Sequence, residues 1–283
     1  MVHGMIYRFN GLAPRRRVLV AGIALLVFAG GVTAAVAAVR AAPGQGTGAG
    51  QGTGTGQGSI AQSPPQDRPG PVLLVPGYGG NTGSLAILAS RIRASGRQAT
   101  VLPLPGNGTG SLVQDAAVLD SAVTHALRGG ARSVDVIGYS AGGVATLLWA
   151  RDYDGNRKAR RVVTLGSPFH GASIAAAAEG FVPGACPAAC QQLIPGSSLL
   201  AGLRAGTPGG LHWLSLWTTD DQTVTPPDSA RLTGAINVPV QSVCPGQQIS
   251  HSQLPTSPVV TAMVMQAIGA GPIQHPASAD CRG

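Results

Sequence analysis

SVDVIGYSAGGVATLLWA, residues 133–150, reads as strand, tight turn and helix in immediate succession. Ser133 to Gly138 is a short apolar run of strand length, and Ala141 to Ala150 leaves as a helix of small and apolar residues. Between them Gly138-Tyr139-Ser140-Ala141-Gly142 fits the pattern G-x-S-x-G. In a chain with 42 glycines the pentapeptide alone says little. Its setting says more. A sharp strand-to-helix turn presents a serine hydroxyl at the top of the sheet, and the amides opening the helix face the place where negative charge develops. Ser140 is therefore the candidate nucleophile, with Gly138, Ala141 and Gly142 sparing the turn clashes from larger side chains.

The same alternation continues on either side. Pro71 to Val75 reads as a buried strand, Ser84 to Ala94 as a helix, and Gln98 to Leu102 as a second strand. Ser111 can cap a helix carrying Leu112, Ala116, Leu119, Val123 and Leu127, which Gly129-Gly130 ends. After the serine turn come strands at Arg161–Gly166, Leu211–Trp217 and Val238–Val243, then a helix over Val259–Ile268. Ile174 to Gly210 is Ala-rich and irregular, and reads as a helical cap or lid. Strand and helix in turn predict an α/β domain with a mostly parallel sheet of about six strands and helices on both faces.

A serine hydroxyl needs a base, and the base an acid to orient it. His251, after the last strand and before the last helix, is the candidate base; His170 lies after a strand and could border the site, while His3, His125, His212 and His275 sit elsewhere. The acid should follow the fifth strand, where Asp220 and Asp221 stand; Asp221 is preferred, and Asp228 is an outside candidate. The order serine, acid, histidine is that of α/β hydrolases. Two amides must hold an oxyanion. Ala141 supplies one, and Tyr78, in the loop Pro76-Gly77-Tyr78-Gly79-Gly80-Asn81, the other. A phosphate-binding loop is disfavoured there because no Gly-Lys-Ser/Thr follows.

Val75-Pro76-Gly77-Tyr78-Gly79-Gly80, Gly138-Tyr139-Ser140-Ala141-Gly142-Gly143, Leu165-Gly166-Ser167-Pro168-Phe169-His170-Gly171, and Asp221-x-x-Val224 with His251 resemble the bacterial α/β-hydrolase lipases. The set is closest to the secreted actinobacterial triacylglycerol lipases and similar to the minimal Bacillus-type lipase, and spans about Pro71 to Ile268. The resemblance implies the α/β-hydrolase fold and hydrolysis of carboxylic esters of acyl lipids, with no cofactor. In that family D-x-x-V marks the aspartate aligned with Asp221. Many relatives have His-Gly where this chain has Pro76-Gly77, and the segment holding Cys244-Pro245-Gly246 departs from the short Bacillus-type loop. Some lipases bind calcium; no carboxylate cluster suggests it here. An acyltransferase using the same site and a non-catalytic surface protein are the alternative functions.

The first 70 residues differ in kind. Arg15-Arg16-Arg17 precedes an uncharged apolar run, Val18 to Val39, long enough to span a bilayer. It reads as a secretory signal, with small residues at Ala35-Val36-Ala37 or Ala38 to Ala42, or as an uncleaved anchor. Residues 1–42 are thus a signal or anchor, 43–70 a Gly/Gln/Thr/Pro-rich flexible linker, and 71–283 the catalytic domain. Either reading exports the domain, extracellular or at the cell surface, with membrane contact through an uncleaved leader. Of the net charge of +8, five arginines lie in the leader, leaving +3. That gives no reason to expect a nucleic-acid partner, which needs a basic stripe. Arg157-Lys158-Ala159-Arg160-Arg161 reads as a solvated turn. The partner is a small-molecule or lipid ester, and a monomer is expected. Cys186, Cys190, Cys244 and Cys281 suit disulfides in an oxidising compartment. Of three possible connectivities, Cys186–Cys190 with Cys244–Cys281 is favoured over the other two, and over a zinc site, which lacks paired ligand spacings.

Overall fold

The computed structural model describes residues 63–80, 82–181, 186–203 and 206–282. The leader and most of the linker, including the apolar run 18–39, lie outside the described residues. Among those described, no helix is long and apolar enough to cross a membrane.

The strands are β1 (Val72–Val75), β2 (Ala99–Val101), β3 (Val134–Tyr139), β4 (Ala159–Leu165), β5 (His212–Trp217) and β6 (Ile236–Pro239). They form one parallel six-stranded sheet in the order β2-β1-β3-β4-β5-β6. Between them run α1 (Gly83–Ala94), α2 (Leu112–Arg128), α3 (Ala141–Asp152), α4 (Gly155–Lys158), α5 (Ser173–Phe181), α6 (Ala188–Gln192), α7 (Ser198–Leu203), α8 (Val240–Val243) and α9 (Pro258–Ile268). The sheet splits the core in two. Leu119, Val123, Leu147 and Trp149 of α2 and α3 pack on one face, Leu85, Leu88, Met263 and Val264 of α1 and α9 on the other. Strand order reverses at β1, so the crevice past the carboxyl ends of β1 and β3 is where such a sheet takes a ligand.

Ser111 caps α2 as its sequence suggested, accepting from the Val113 amide at 3.3 Å. One turn on, Asp115 is buried with Oδ1 unpartnered, and burial pushes its carboxyl up to about 6 from 3.8. A carboxyl with a raised native pKa costs stability wherever it is ionised in both states. The cost is complete above about pH 6 and is relieved as pH falls from there toward 3.8. Asp115→Asn should therefore stabilise the fold at pH 8 by about 1–2 kcal/mol. The gain should shrink to nothing by about pH 4 in denaturant titrations of both proteins.

Two sequence expectations change. Arg157 is exposed, but Arg160 and Arg161 are wholly buried within β4, not solvated in a turn. Arg160 pairs with Asp135 of β3 (Nε to Oδ1 3.0 Å) and donates to the carbonyls of Gln66, Ile268 and Gly269. Arg161 donates to the carbonyls of Ala267, Gly269 and Gly271. Guanidinium burial is tolerable when this many acceptors are supplied. The two side chains thereby hold residue 66 of the approach segment and the end of α9 against the sheet. The second change is at β6, which ends at Pro239 rather than Val243. Proline has no N–H for a ladder, and Val240 and Cys244, both buried, sit one helical turn apart (Cys244 N–H to Val240 C=O, 2.8 Å).

Both disulfides are those favoured from the sequence, Cys186–Cys190 and Cys244–Cys281. The second spans 37 residues and encloses the segment bearing His251.

Candidate active site

Ser140 sits between β3 and α3 with φ 53° and ψ −127°. This is a strained backbone for a residue with a Cβ, held because neighbours over-determine it. Its N–H donates to Leu165 C=O at 2.8 Å, and its own C=O accepts from Gly143 N–H at 2.9 Å. Close packing against β1 adds to the constraint: a Cβ on Gly142 would lie 2.3 Å from the carbonyl oxygens of Val75 and Pro76.

Three side chains from three loops meet there. His251 Nε2 lies 3.0 Å from Ser140 Oγ, and His251 Nδ1 lies 2.7 Å from Asp221 Oδ2. The second carboxylate oxygen, Oδ1, accepts from the amides of Thr223 (2.9 Å) and Val224 (2.8 Å), which fixes the acid in a turn off β5. Asp221 and His251 are buried, while Ser140 is half-buried and reachable. An imidazole between a buried carboxylate and a hydroxyl is set in the tautomer that leaves Nε2 free to take the hydroxyl proton. Room for the ring comes from Gly166, at φ 57°, where a Cβ would stand 3.0 Å from His251 Nδ1.

A further contact holding the histidine carries no mark in the sequence. Tyr139 Oη donates to the His251 carbonyl at 3.3 Å, and its ring lies 5.1 Å from the imidazole, tilted by 31°. Burial, and secondarily the charge of Asp221, push the phenol up to about 12, so it stays a donor. The x of G-x-S-x-G is chemically open in the motif, so only its contacts reveal this.

The remaining candidates separate. Tyr78 lies in the turn that Gly80 N–H closes on Gly77 C=O (3.1 Å), and it lines the same cavity as Ser140. Ala141 is the first residue of α3, where an amide has no intrahelical acceptor. Asp220 is exposed and accepts from Gln241 Nε2 at 3.2 Å instead of joining the histidine. Asp228 is exposed, and His170 turns its Nε2 to the Arg231 carbonyl at 3.1 Å, away from the serine. His212 opens β5, His125 lies within α2, and His275 bonds the Pro276 carbonyl. Among the described residues no group of His, Cys, Asp or Glu is placed to hold a metal ion.

Beside Ser140 opens a cavity of about 240 Å³. Pro168, Ala172, Leu193 and Val224 line it, with Ile174, Ala175 and Ala178 of α5 and Cys190 of α6 closing the far wall. The Ala-rich segment thus forms part of the wall of the cavity next to the serine. Little polar surface faces in besides the serine itself, as an apolar ligand requires.

A family described as "Alpha/beta hydrolase of unknown function" (DUF915) matches residues 106–269. No curated protein matches the chain by sequence. Among solved structures, Aspergillus fumigatus lipase B superposes with a TM-score of 0.58 at 20% identity, covering 73% of this chain and 54% of its own. Bacillus licheniformis lipase BlEst2 gives 0.57 at 17% in its propeptide form, covering 76% and 52%. Its mature form gives 0.56 at 17%, covering 73% and 94%. The chain spans about half the length of the first two. At these identities the likeness is one of fold.

Proposed function

Because the chain belongs to the α/β-hydrolase family of unknown function DUF915, we propose that it is a serine ester hydrolase cleaving carboxylic esters of acyl lipids. The observation that carries this reading is the continuous Ser140–His251–Asp221 hydrogen-bond chain at the mouth of an apolar cavity. Ser140 Oγ attacks the ester carbonyl as its proton passes to His251 Nε2. Asp221 stabilises the imidazolium, and the Tyr78 and Ala141 amides take the oxyanion. His251 then protonates the departing alcohol, and a water activated by the same nitrogen releases the acid and regenerates the serine. The two disulfides support an exported protein, in keeping with the basic and apolar order of residues 15–39.

Cavity size narrows the substrate. At about 240 Å³ the cavity falls below the ~300–1,000 Å³ of pockets that bury drug-sized ligands. The acyl chain it accommodates is short to medium. Over p-nitrophenyl esters of rising length, kcat/KM should peak at about four to eight carbons and fall by about tenfold or more at sixteen. A peak at sixteen would remove the cavity from the acyl-binding role, and no turnover at any length would remove the ester-hydrolase reading itself.

A further inference from the structure

Ser140 lies past the carboxyl ends of the strands; a second cavity, of about 380 Å³, opens at their amino ends. Its walls are Arg68, Gly70, Arg97, Gln98, Ala131 and Arg132, with prolines 69 and 71 between. Arg97 reaches inward from it, pairing with Asp135 Oδ2 at 2.7 Å and donating to the carbonyls of Gly70 and Ile268. Its Nε is buried with no partner. Behind it Arg160 uses the same carboxylate, and Arg161, wholly buried, bonds carbonyl oxygens and the Gln66 side chain but no carboxylate. Two guanidiniums therefore share one acid, and the third bonds none. Burial and the neighbouring Arg160 push the Arg161 guanidinium below its ordinary range, as an uncompensated cation requires.

At the rim, Arg68 and Arg132 are exposed and form no ion pair among the described residues; Asp67, exposed beside Arg68, offsets one charge. Five cations against Asp67 and Asp135 leave +3, equal to the whole formal excess of the chain after its five leader arginines. Carbonyls ending α9 account for where Arg160 and Arg161 point, since a helix carboxyl end attracts cations. They do not account for two further unpaired arginines around an open cavity.

We propose that this cavity binds a phosphate-bearing anion, with Arg68 and Arg132 closing on its oxygens and Arg97 beneath. Guanidinium forks match phosphate oxygens two at a time, which lysines do not. The site lies at the opposite end of the strands from Ser140, so its ligand is not the ester being cleaved. The phosphate can be inorganic or the diester headgroup of an anionic lipid. The chemistry is shared, and the test separates the two.

Thermal melts of the full chain should be run in sodium phosphate and in sodium chloride at equal ionic strength. They should be repeated with dihexanoyl phosphatidylglycerol and dihexanoyl phosphatidylcholine, each below its micelle concentration. At tenfold over the dissociation constant, phosphate should raise Tm by about 3–6 °C over chloride. Phosphatidylglycerol in place of phosphate as the stronger stabiliser would make the headgroup the source; phosphatidylcholine should do little. The Arg68→Ala/Arg132→Ala double variant should lose the shift while keeping full p-nitrophenyl ester turnover. Equal melts in phosphate, phosphatidylglycerol and chloride, or a shift that survives in the double variant, would overturn the proposal. Neither result would touch the ester-hydrolase reading.

Discussion

Ser140→Ala should lower kcat for any ester the protein turns over by about five orders of magnitude, leaving KM near its original value. The figure follows from what the serine supplies. In the proposed mechanism His251 then has no hydroxyl to deprotonate, and the acyl-enzyme route closes altogether. Residual turnover would come only from the amide pair and from binding. The fold should survive, because alanine retains the Cβ that already sits at φ 53° and loses only an oxygen half open to solvent. Labelling by a fluorophosphonate probe should vanish together with activity. A variant retaining a tenth of its turnover, or one still labelled, would place the nucleophile elsewhere.

A contrast between neighbours should give the second large effect. Asp221→Asn should cost about four orders of magnitude in kcat, because an amide beside Nδ1 favours the wrong imidazole tautomer and offers no charge to the imidazolium. Asp220→Asn should change kcat by less than about threefold, since that carboxylate is exposed and its bond to Gln241 is 3.2 Å long. Measuring both in one assay settles which aspartate is the acid. Equal losses, or a larger loss at Asp220, would contradict the geometry in which Asp221 Oδ2 stands 2.7 Å from the ring.

What could be read from the sequence was what depends on near neighbours. The strand before Ser140, the helix after it and the cap at Ser111 are local patterns, and each element stands within a residue or two of its expected bounds. The choice of Asp221 and His251 reaches further along the chain and rests on the order serine, acid, histidine of α/β hydrolases, applied to the loops after the fifth and sixth strands. Arg160 and Arg161 were misread because their partners lie far off in sequence, at Asp135 and at residues 267–271. Nothing near them marks a buried site. From Val240 to Val243 the apolar spacing suited a strand, but Pro239 has no N–H for the ladder and the chain turns into α8 directly after it. The cavity wall was invisible for a plainer reason. Alanines at positions 175 and 178 carry no chemical signal until α5 places them opposite a serine.

The Cys244–Cys281 bridge bears on how the protein withstands cleavage of its backbone. His251 and all of α9 lie inside the ring it closes. A protease that nicks the backbone anywhere within that ring leaves two polypeptides that travel as one until a reductant parts them. The histidine's fragment cannot diffuse away after the first cut, so a once-cleaved molecule keeps both halves of the site within reach of each other.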